Sequence, residues 1–304
     1  MADITHDELI EMNRDLLASW LADPNYTYDD FRRIFEEWLA QFPIPEGTRF
    51  EDADADGVSC IWADGASVDN SRVVVHFHSG GYLLGSAASY KSFGGLLSAA
   101  TGARVLLVDY RLAPENAHPA AVEDALTVYR WLLNRGSDPA KLALSGDSAG
   151  GGLALIALQQ VREAGLPLPG CALAISPLAD FTASGESRTS NAALDPLVTT
   201  ELLESMAITY CGDRDRTAPT LSPLFGNWTG LPPVLVIAGE IEVFRDDGKL
   251  CVEAALRSGV DARFHVGAKM VHIYPVYADR LPEAREALAE IGQFVRDHTG
   301  ERLQ

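Results

Sequence analysis

The sequence predicts an α/β fold: one doubly wound, mostly parallel β-sheet with a helical cap. From Thr48 onward, short apolar runs alternate with helical patterns, which is the βαβα order of a parallel sheet. The runs are nearly continuous in apolar residues, as in strands that are buried on both faces. The connection between residues 175 and 233 is far longer than the others, and such a connection in a compact domain is usually a lid or a binding loop.

Residues 1–45 precede this alternation, and their pattern predicts two helices. Thr5 and Glu8 have the spacing of a capping box, and Thr27 can cap a second helix that stops at Pro43. Each helix has one apolar face, which we interpret as a packing surface. We therefore predict that residues 1–45 and an insertion at about 181–228 form the cap, and that residues 46–304 form the α/β domain.

The strands and helices of the α/β domain are predicted from apolar runs and helical periodicity between turn residues. The predicted strands lie near 49–53, 58–62, 72–77, 104–108, 171–175, 233–237 and 262–266, with one more directly before Gly146. The predicted helices lie near 90–100, from Pro119 to Gly136, from Ser148 to Gly165, near 200–210 and over 282–298. The last strand is expected at an edge of the sheet, where it could pair with a second copy, so a homodimer is a hypothesis.

The composition limits the classes of partner. The formal net charge of −19 argues against nucleic acid and anionic membrane surfaces, which both carry phosphate. No segment has the roughly 20 apolar residues of a membrane-spanning helix, and the first residues lack the features of a secretory signal. The four cysteines form no CxxC pair, which fits free thiols in a reducing compartment. We expect a cytoplasmic protein whose partners include neither nucleic acid nor a membrane.

The segment Gly146-Asp-Ser-Ala-Gly150 lies between an apolar run and a helix rich in alanine and leucine. This strand-turn-helix context is typical of a nucleophilic serine. The chain must reverse at Ser148, and glycine is needed at positions 146 and 150 because a Cβ would collide with the neighbouring strand or helix. The alternative interpretation is a glycine-rich turn with an ordinary capping serine. We predict that Ser148 is a nucleophile.

A serine nucleophile needs N–H donors for the oxyanion that forms on the substrate. The run His78-Ser-Gly-Gly-Tyr82 follows a predicted strand, and its two glycines leave backbone N–H groups open to a ligand. Gly80 and Gly81, together with the N–H of Ala149, are the predicted oxyanion hole. The alternative is a flexible loop with no such role.

If the turn at Ser148 is that of an α/β-hydrolase, the chain order is serine, acid, histidine, so the base is expected late in the chain. His272 lies in a loop directly after the last predicted strand, at the carboxyl edge where ligands bind in such sheets. His265 lies inside that strand, where alternation fixes its side chain. We therefore choose His272.

The acid that orients this histidine is expected just past the preceding strand. Four carboxylates are candidates there: Glu240, Glu242, Asp246 and Asp247. The two aspartates are expected to begin the next helix and to cap it. Of the remaining pair we choose Glu242.

These motifs resemble those of the bacterial hormone-sensitive-lipase-like esterases, a group of the α/β-hydrolase fold. The resemblance covers about residues 70–300 and rests on Gly146-Asp-Ser-Ala-Gly-Gly151, the glycine loop, and Asp109-Tyr-Arg-Leu-Ala-Pro-Glu115. Two positions depart from the family pattern. Ser79 stands where the first glycine of the H-G-G-G motif is usual, and Glu242 stands where the acid motif usually has aspartate.

The resemblance implies a serine carboxylesterase that cleaves short-chain acyl esters through an acyl-enzyme, with no metal and no cofactor. It also implies a cap made of the N-terminal helices and the segment after the sixth strand. A lactone hydrolase or a deacetylase could use the same residues, because specificity depends on the shape of the cap. A non-catalytic binding protein on this fold is a more remote alternative, since such proteins lose the histidine that stands here at His272.

Overall fold

The computed structural model describes residues 3–300, so residues 1 and 2 of the predicted cap and 301–304 of the predicted α/β domain lie outside the described part. Its eight strands form one sheet in the order β1-β2-β4-β3-β5-β6-β7-β8. The strands are β1 Arg49–Ala55, β2 Val58–Asp64, β3 Asp69–Phe77, β4 Ala103–Val108, β5 Leu142–Asp147, β6 Cys171–Ile175, β7 Val234–Gly239 and β8 Ala262–Gly267. β2 is antiparallel to β1 and β4, and all other neighbours are parallel. The predicted mostly parallel sheet is confirmed.

Nine α-helices occur in the described residues. They are α1 His6–Trp20, α2 Tyr28–Leu39, α3 Lys91–Thr101, α4 Ala120–Asn134, α5 Ala149–Glu163, α6 Ser187–Ser190, α7 Thr200–Cys211, α8 Arg245–Arg257 and α9 Pro282–Thr299. α3 packs against α9 and α4 packs against α5, and both pairs contact the sheet. None of the helices within residues 3–300 is long and apolar enough to cross a membrane.

The core lies along the central strands. β5, β6 and β7 are buried at every residue, because helices cover both of their faces. β1 and β8 form the two edges of the sheet and are largely exposed or half-buried. The expected edge position of the last strand is therefore confirmed. The carboxyl ends of the buried strands then define one edge at which loop residues can meet.

α1 and α2 begin as the sequence predicts. Thr5 and Glu8 form a complete capping box in α1, and Thr27 caps α2. Asp30 completes a second capping box in α2, which the sequence analysis did not identify. In the long connection before β7 the structure adds the short helix α6 to the one helix that was predicted there.

The expected capping of α8 by its aspartates is wrong. Asp246 and Asp247 do lie in the first turn of α8, but neither side chain caps the helix. Asp246 accepts a hydrogen bond from the N–H of Ser187, and Asp247 accepts from the N–H groups of Ala179 and Asp180. Both carboxylates thus satisfy the backbone of the long connection, which folds over this end of the helix.

Candidate active site

Ser148 occupies the sharp turn between β5 and α5. Its backbone has φ 54° and ψ −120°, a conformation that costs about 1–3 kcal/mol in a residue other than glycine. A Cβ on Gly146 would lie 2.0 Å from the carbonyl oxygen of Gly150, and a Cβ on Gly150 would lie 2.0 Å from that of Phe77. Glycine at both positions is therefore what allows this turn. The N–H of Ser148 donates to the carbonyl of Ile175 at 2.8 Å, which ties the turn to β6.

His272 lies in the loop after β8 and contacts Ser148 directly. The distance between Nε2 of His272 and Oγ of Ser148 is 2.9 Å. Both side chains are buried, and the ring of Phe244 packs on the imidazole with 5.0 Å between ring centroids. The N–H of the next residue, Ile273, donates to Oγ of Ser176 at 2.9 Å. These contacts hold the imidazole ring over the serine.

Glu242 is fully buried on the other side of this imidazole. Its Oε2 lies 2.6 Å from Nδ1 of His272, and its Oε1 accepts the N–H of Gly239 at 2.9 Å. Burial raises the pKa of Glu242, and the hydrogen bond from His272 opposes that rise. Because the carboxylate accepts, Nδ1 of His272 carries the proton, and Nε2 is free to accept from the serine hydroxyl.

The other candidates for base and acid lie elsewhere. Glu240 is exposed and accepts the N–H of Lys269. Asp247 forms a buried ion pair with Arg188, 2.6 Å between Oδ2 and Nη2. His265 faces Glu290 on the outer edge of the sheet, 2.8 Å away. Among the described residues, Glu242 is the only one of the four candidate carboxylates that contacts His272.

The glycine loop after β3 faces the same point. Gly80 and Gly81 have φ of +119° and +64°, and a Cβ on Gly80 would lie 2.1 Å from the carbonyl oxygen of Leu84. The N–H groups of Gly80, Gly81 and Ala149 donate to no backbone carbonyl within residues 3–300. Gly80 and Gly81 line the same cavity as Ser148.

The chain matches known proteins in both sequence and structure. The family model described as "alpha/beta hydrolase fold" matches residues 74–276 of the chain. The chain belongs to the α/β-hydrolase family. Among the curated proteins, an acetyl-hydrolase of Streptomyces hygroscopicus is 38% identical over 98% of this chain and 97% of its own length. A putative acetyl-hydrolase of Mycobacterium tuberculosis is 35% identical over 84% of this chain and 82% of its own length.

The solved structures identify the branch of the α/β-hydrolase family to which the chain belongs. The crystal structure of an esterase from the bacterial hormone-sensitive lipase family has a TM-score of 0.93 and 40% identity, covering 99% of this chain and 100% of that one. This α/β-hydrolase is therefore a member of the bacterial hormone-sensitive lipase family. The family resemblance that the motifs indicated is confirmed, and the structural match extends over 99% of the chain.

Two residues that hold the loop carrying Glu242 were not predicted from the sequence of this α/β-hydrolase. Asn191 donates from Nδ2 to the carbonyl oxygens of Glu240 and Glu242, at 2.9 and 2.8 Å. Asp195 accepts the N–H of Val243 at 2.9 Å. Both lie in the long connection, far from Glu242 in sequence. The dipeptide Asp195-Pro196 is a turn signal, but a turn signal does not say which loop it contacts.

A small apolar cavity lies over Ser148. Its volume is about 50 Å³. The helices of the predicted cap line it from two directions, through Trp20, Phe35 and Trp38 of α1 and α2 and through Leu202, Leu203 and Met206 of α7. α2 and α7 also meet directly, since the hydroxyl oxygens of Tyr28 and Thr209 are 2.9 Å apart.

Proposed function

We propose that this carboxylic ester hydrolase cleaves short-chain acyl esters through an acyl-enzyme on Ser148. The observation that carries the proposal is the unbroken line of hydrogen bonds from Ser148 through His272 to Glu242. Such a line lets a neutral hydroxyl lose its proton as it attacks, which an isolated serine cannot do at neutral pH. The intact histidine contact also argues against a non-catalytic binding protein.

In the proposed reaction, Oγ of Ser148 attacks the ester carbonyl carbon while Nε2 of His272 takes the hydroxyl proton. Glu242 keeps the imidazole in the required tautomer and stabilises its positive charge. The N–H groups of Gly80, Gly81 and Ala149 donate to the oxyanion of the tetrahedral intermediate, and one such donor is worth about 10²–10³ in kcat. His272 then protonates the leaving alcohol, and the acyl group remains on Ser148. Water, activated by His272, releases the carboxylic acid by the same steps.

The size of the cavity supports a short acyl group. One water molecule occupies roughly 10–15 Å³ of such a volume, so a cavity of about 50 Å³ holds about three to five non-hydrogen atoms. An acetyl ester group has that number of atoms around its reacting carbon. Two relatives are named acetyl-hydrolases, which agrees with this substrate class.

We also propose that residues 1–45 and the insertion at about 181–228 act as the cap that sets this size. This proposal is supported by the cavity lining, to which α1, α2 and α7 all contribute. The proposed location is the cytoplasm and the proposed partner is a small ester, without nucleic acid. The four buried free cysteines support a reducing compartment, and the net charge of −19 argues against nucleic acid. A homodimer that pairs β8 with its copy is proposed on the exposed edge of the sheet.

The test uses a series of p-nitrophenyl esters from acetate to palmitate, with simple lactones added. We expect the highest kcat/KM with acetate to butyrate and a steep fall with longer acyl chains. A fluorophosphonate should modify Ser148 once per chain, as located by mass spectrometry, and Ser148→Ala should be inactive with an unchanged melting temperature within a few degrees. Labelling of another serine would contradict the proposal.

A further inference from the structure

A buried chain of hydrogen bonds connects the nucleophile turn with the glycine loop. Oδ2 of Asp147, the residue before Ser148, accepts the hydroxyl of Tyr90 at 2.5 Å. The hydroxyl oxygen of Tyr90 in turn lies 2.5 Å from Oγ of Ser79 and 3.2 Å from its N–H. Asp147, Tyr90 and Ser79 are each at least 97% buried. The proposed mechanism uses none of these three side chains.

The direction of each bond in this chain follows from the groups present. A carboxylate only accepts, so the single hydroxyl hydrogen of Tyr90 is directed at Asp147. Both groups of Ser79 therefore donate to the oxygen of Tyr90. Burial, and then the charge of Asp147, raise the pKa of Tyr90 well above its usual range, so the phenol keeps its proton. The other oxygen of Asp147 is held by Nε2 of His76 at 3.2 Å.

Ser79 is attached to the first donor of the predicted oxyanion hole. Its carbonyl oxygen accepts from Nδ1 of His78 at 2.7 Å, which fixes one side of the peptide between Ser79 and Gly80. Because this peptide is planar and trans, the N–H of Gly80 must point to the opposite side. The hydrogen bonds that Ser79 donates to Tyr90 fix its own N–H and side chain. The orientation of the Gly80 donor is thereby tied to Asp147, one residue from Ser148.

We propose that Tyr90 and Ser79 are positioning residues, which hold the glycine loop at the right distance from Ser148 through Asp147. Ser79 stands where the family pattern has glycine, and its hydroxyl adds a bond that glycine cannot make. This inference rests on the proposed function, because it assigns these residues to the geometry of the oxyanion hole. It predicts an effect on the rate of the chemical step and not on substrate binding.

The test compares Tyr90→Phe with Tyr129→Phe. Each variant removes one buried tyrosine hydroxyl, but that of Tyr129 donates to the carbonyl of Pro167, away from Ser148. We expect Tyr90→Phe to lower kcat about 10- to 100-fold with KM within about threefold, since loss of a whole donor costs about 10²–10³. Its affinity for a trifluoromethyl ketone, which forms a tetrahedral adduct, should fall in parallel with kcat/KM. Tyr129→Phe should keep kcat within twofold, whatever its melting temperature.

A double-mutant cycle with Ser79→Ala tests the chain itself. Ser79→Ala alone should lower kcat about three- to tenfold, because the N–H bond to Tyr90 remains. Added to Tyr90→Phe it should cost less than twofold, since its partner is already gone. Should Tyr90→Phe fail to fold, the single variant Ser79→Ala decides the question.

Three outcomes overturn this inference: kcat of Tyr90→Phe (or of Ser79→Ala, where Tyr90→Phe does not fold) within twofold of wild type, an equal loss in Tyr129→Phe, or additive losses in the cycle. They are distinguishable from failure of the proposed function. If the fluorophosphonate labels Ser148 in wild type and in both variants, the proposed function stands and only the positioning role is lost. If wild type is not labelled at Ser148, the proposed function itself is wrong.

Discussion

The carboxylate of Glu242 binds His272 and the last residue of β7 at the same time. Oε2 lies 2.6 Å from Nδ1 of His272, while Oε1 accepts the N–H of Gly239 three residues earlier. Glutamate is one methylene longer than the aspartate usual at this position. In this loop the extra length lets the carboxylate fold back over Gly239, so both of its oxygens are used. The imidazole thus contacts a carboxylate whose position is determined at both oxygens.

The first prediction concerns this acid. Glu242→Gln should lower kcat about ten-thousandfold, because loss of the orienting carboxylate in a serine triad costs on that order. Glu242→Asp should recover only part of the rate, since the shorter side chain cannot reach both Gly239 and His272. The measurement is kcat and KM with p-nitrophenyl acetate. Glu240→Gln is the matched control and should stay within about tenfold of wild type. A dead Glu240→Gln beside an active Glu242→Gln would show that the acid is misassigned.

The second prediction concerns the turn that carries Ser148. Gly150→Ala should give insoluble or unfolded protein, because its Cβ would lie 2.0 Å from the backbone oxygen of Phe77, which cannot move without breaking β3. Gly57→Ala is the control: Gly57 has φ +96° but nothing lies within 4 Å of its added Cβ. That variant should fold with a loss of only about 1–2 kcal/mol in the free energy of unfolding. Soluble yield and thermal unfolding of the two variants decide the matter, and a stable, active Gly150→Ala would contradict the structure.

The third prediction concerns the attachment of α2 to the α/β domain. Arg32 donates from both terminal nitrogens to Glu115, at 2.9 and 2.7 Å, and also to the carbonyls of Leu83 and Ala113. The hydrogen bond from Arg32 lowers the pKa of Glu115 from 4.5 to about 2. A carboxylate with a lowered folded-state pKa stabilises the protein above its unfolded pKa, and that stabilisation is lost as the pH falls. The difference in melting temperature between wild type and Glu115→Gln should therefore be constant above about pH 5 and shrink between pH 4.5 and 2.

Glu37→Gln is the control for this pH series. It removes the ion pair between Glu37 and Arg33, with 3.0 Å between Oε1 and Nη1. Both residues belong to α2, so this pair does not attach the helix to the α/β domain. Exposed pairs within one helix contribute little to stability, so its effect at pH 7 should be smaller than that of Glu115→Gln. A difference for Glu115→Gln that grows on acidification would have the wrong sign and would refute the assignment.

The fourth prediction concerns the wall of the cavity formed by α1. Trp20 lines the cavity and is 8% exposed, whereas its neighbour Leu21 is 71% exposed. Trp20→Ala should remove an indole from the wall, lower the free energy of unfolding by about 3–5 kcal/mol, and raise the hexanoate-to-acetate ratio of kcat/KM. Leu21→Ala should leave that ratio and the stability near wild type. An unchanged ratio in folded Trp20→Ala would show that α1 does not limit the acyl group.

The sequence by itself determined the sheet, the order of its elements and the turn at Ser148. Apolar runs, helical periodicity and turn residues are local properties, and the parallel order follows from their alternation. His272 could be chosen because it directly follows the last strand, where chain order alone brings it to the carboxyl edge. The edge position of β8 followed in the same way.

Only the tertiary structure decided which side chains touch. Glu240 and Glu242 lie two residues apart in one loop, and what separates them is the direction in which Asn191 and Asp195, from another part of the chain, hold that loop. Ser79 departs from the family pattern, and its role follows only from the contact with Tyr90, which bridges it to Asp147. The size of the cavity likewise depends on two helices that are about 180 residues apart in sequence, since Trp20 of α1 and Met206 of α7 both line it. Contacts of this kind depend on long-range packing, which local periodicity and turn chemistry do not encode.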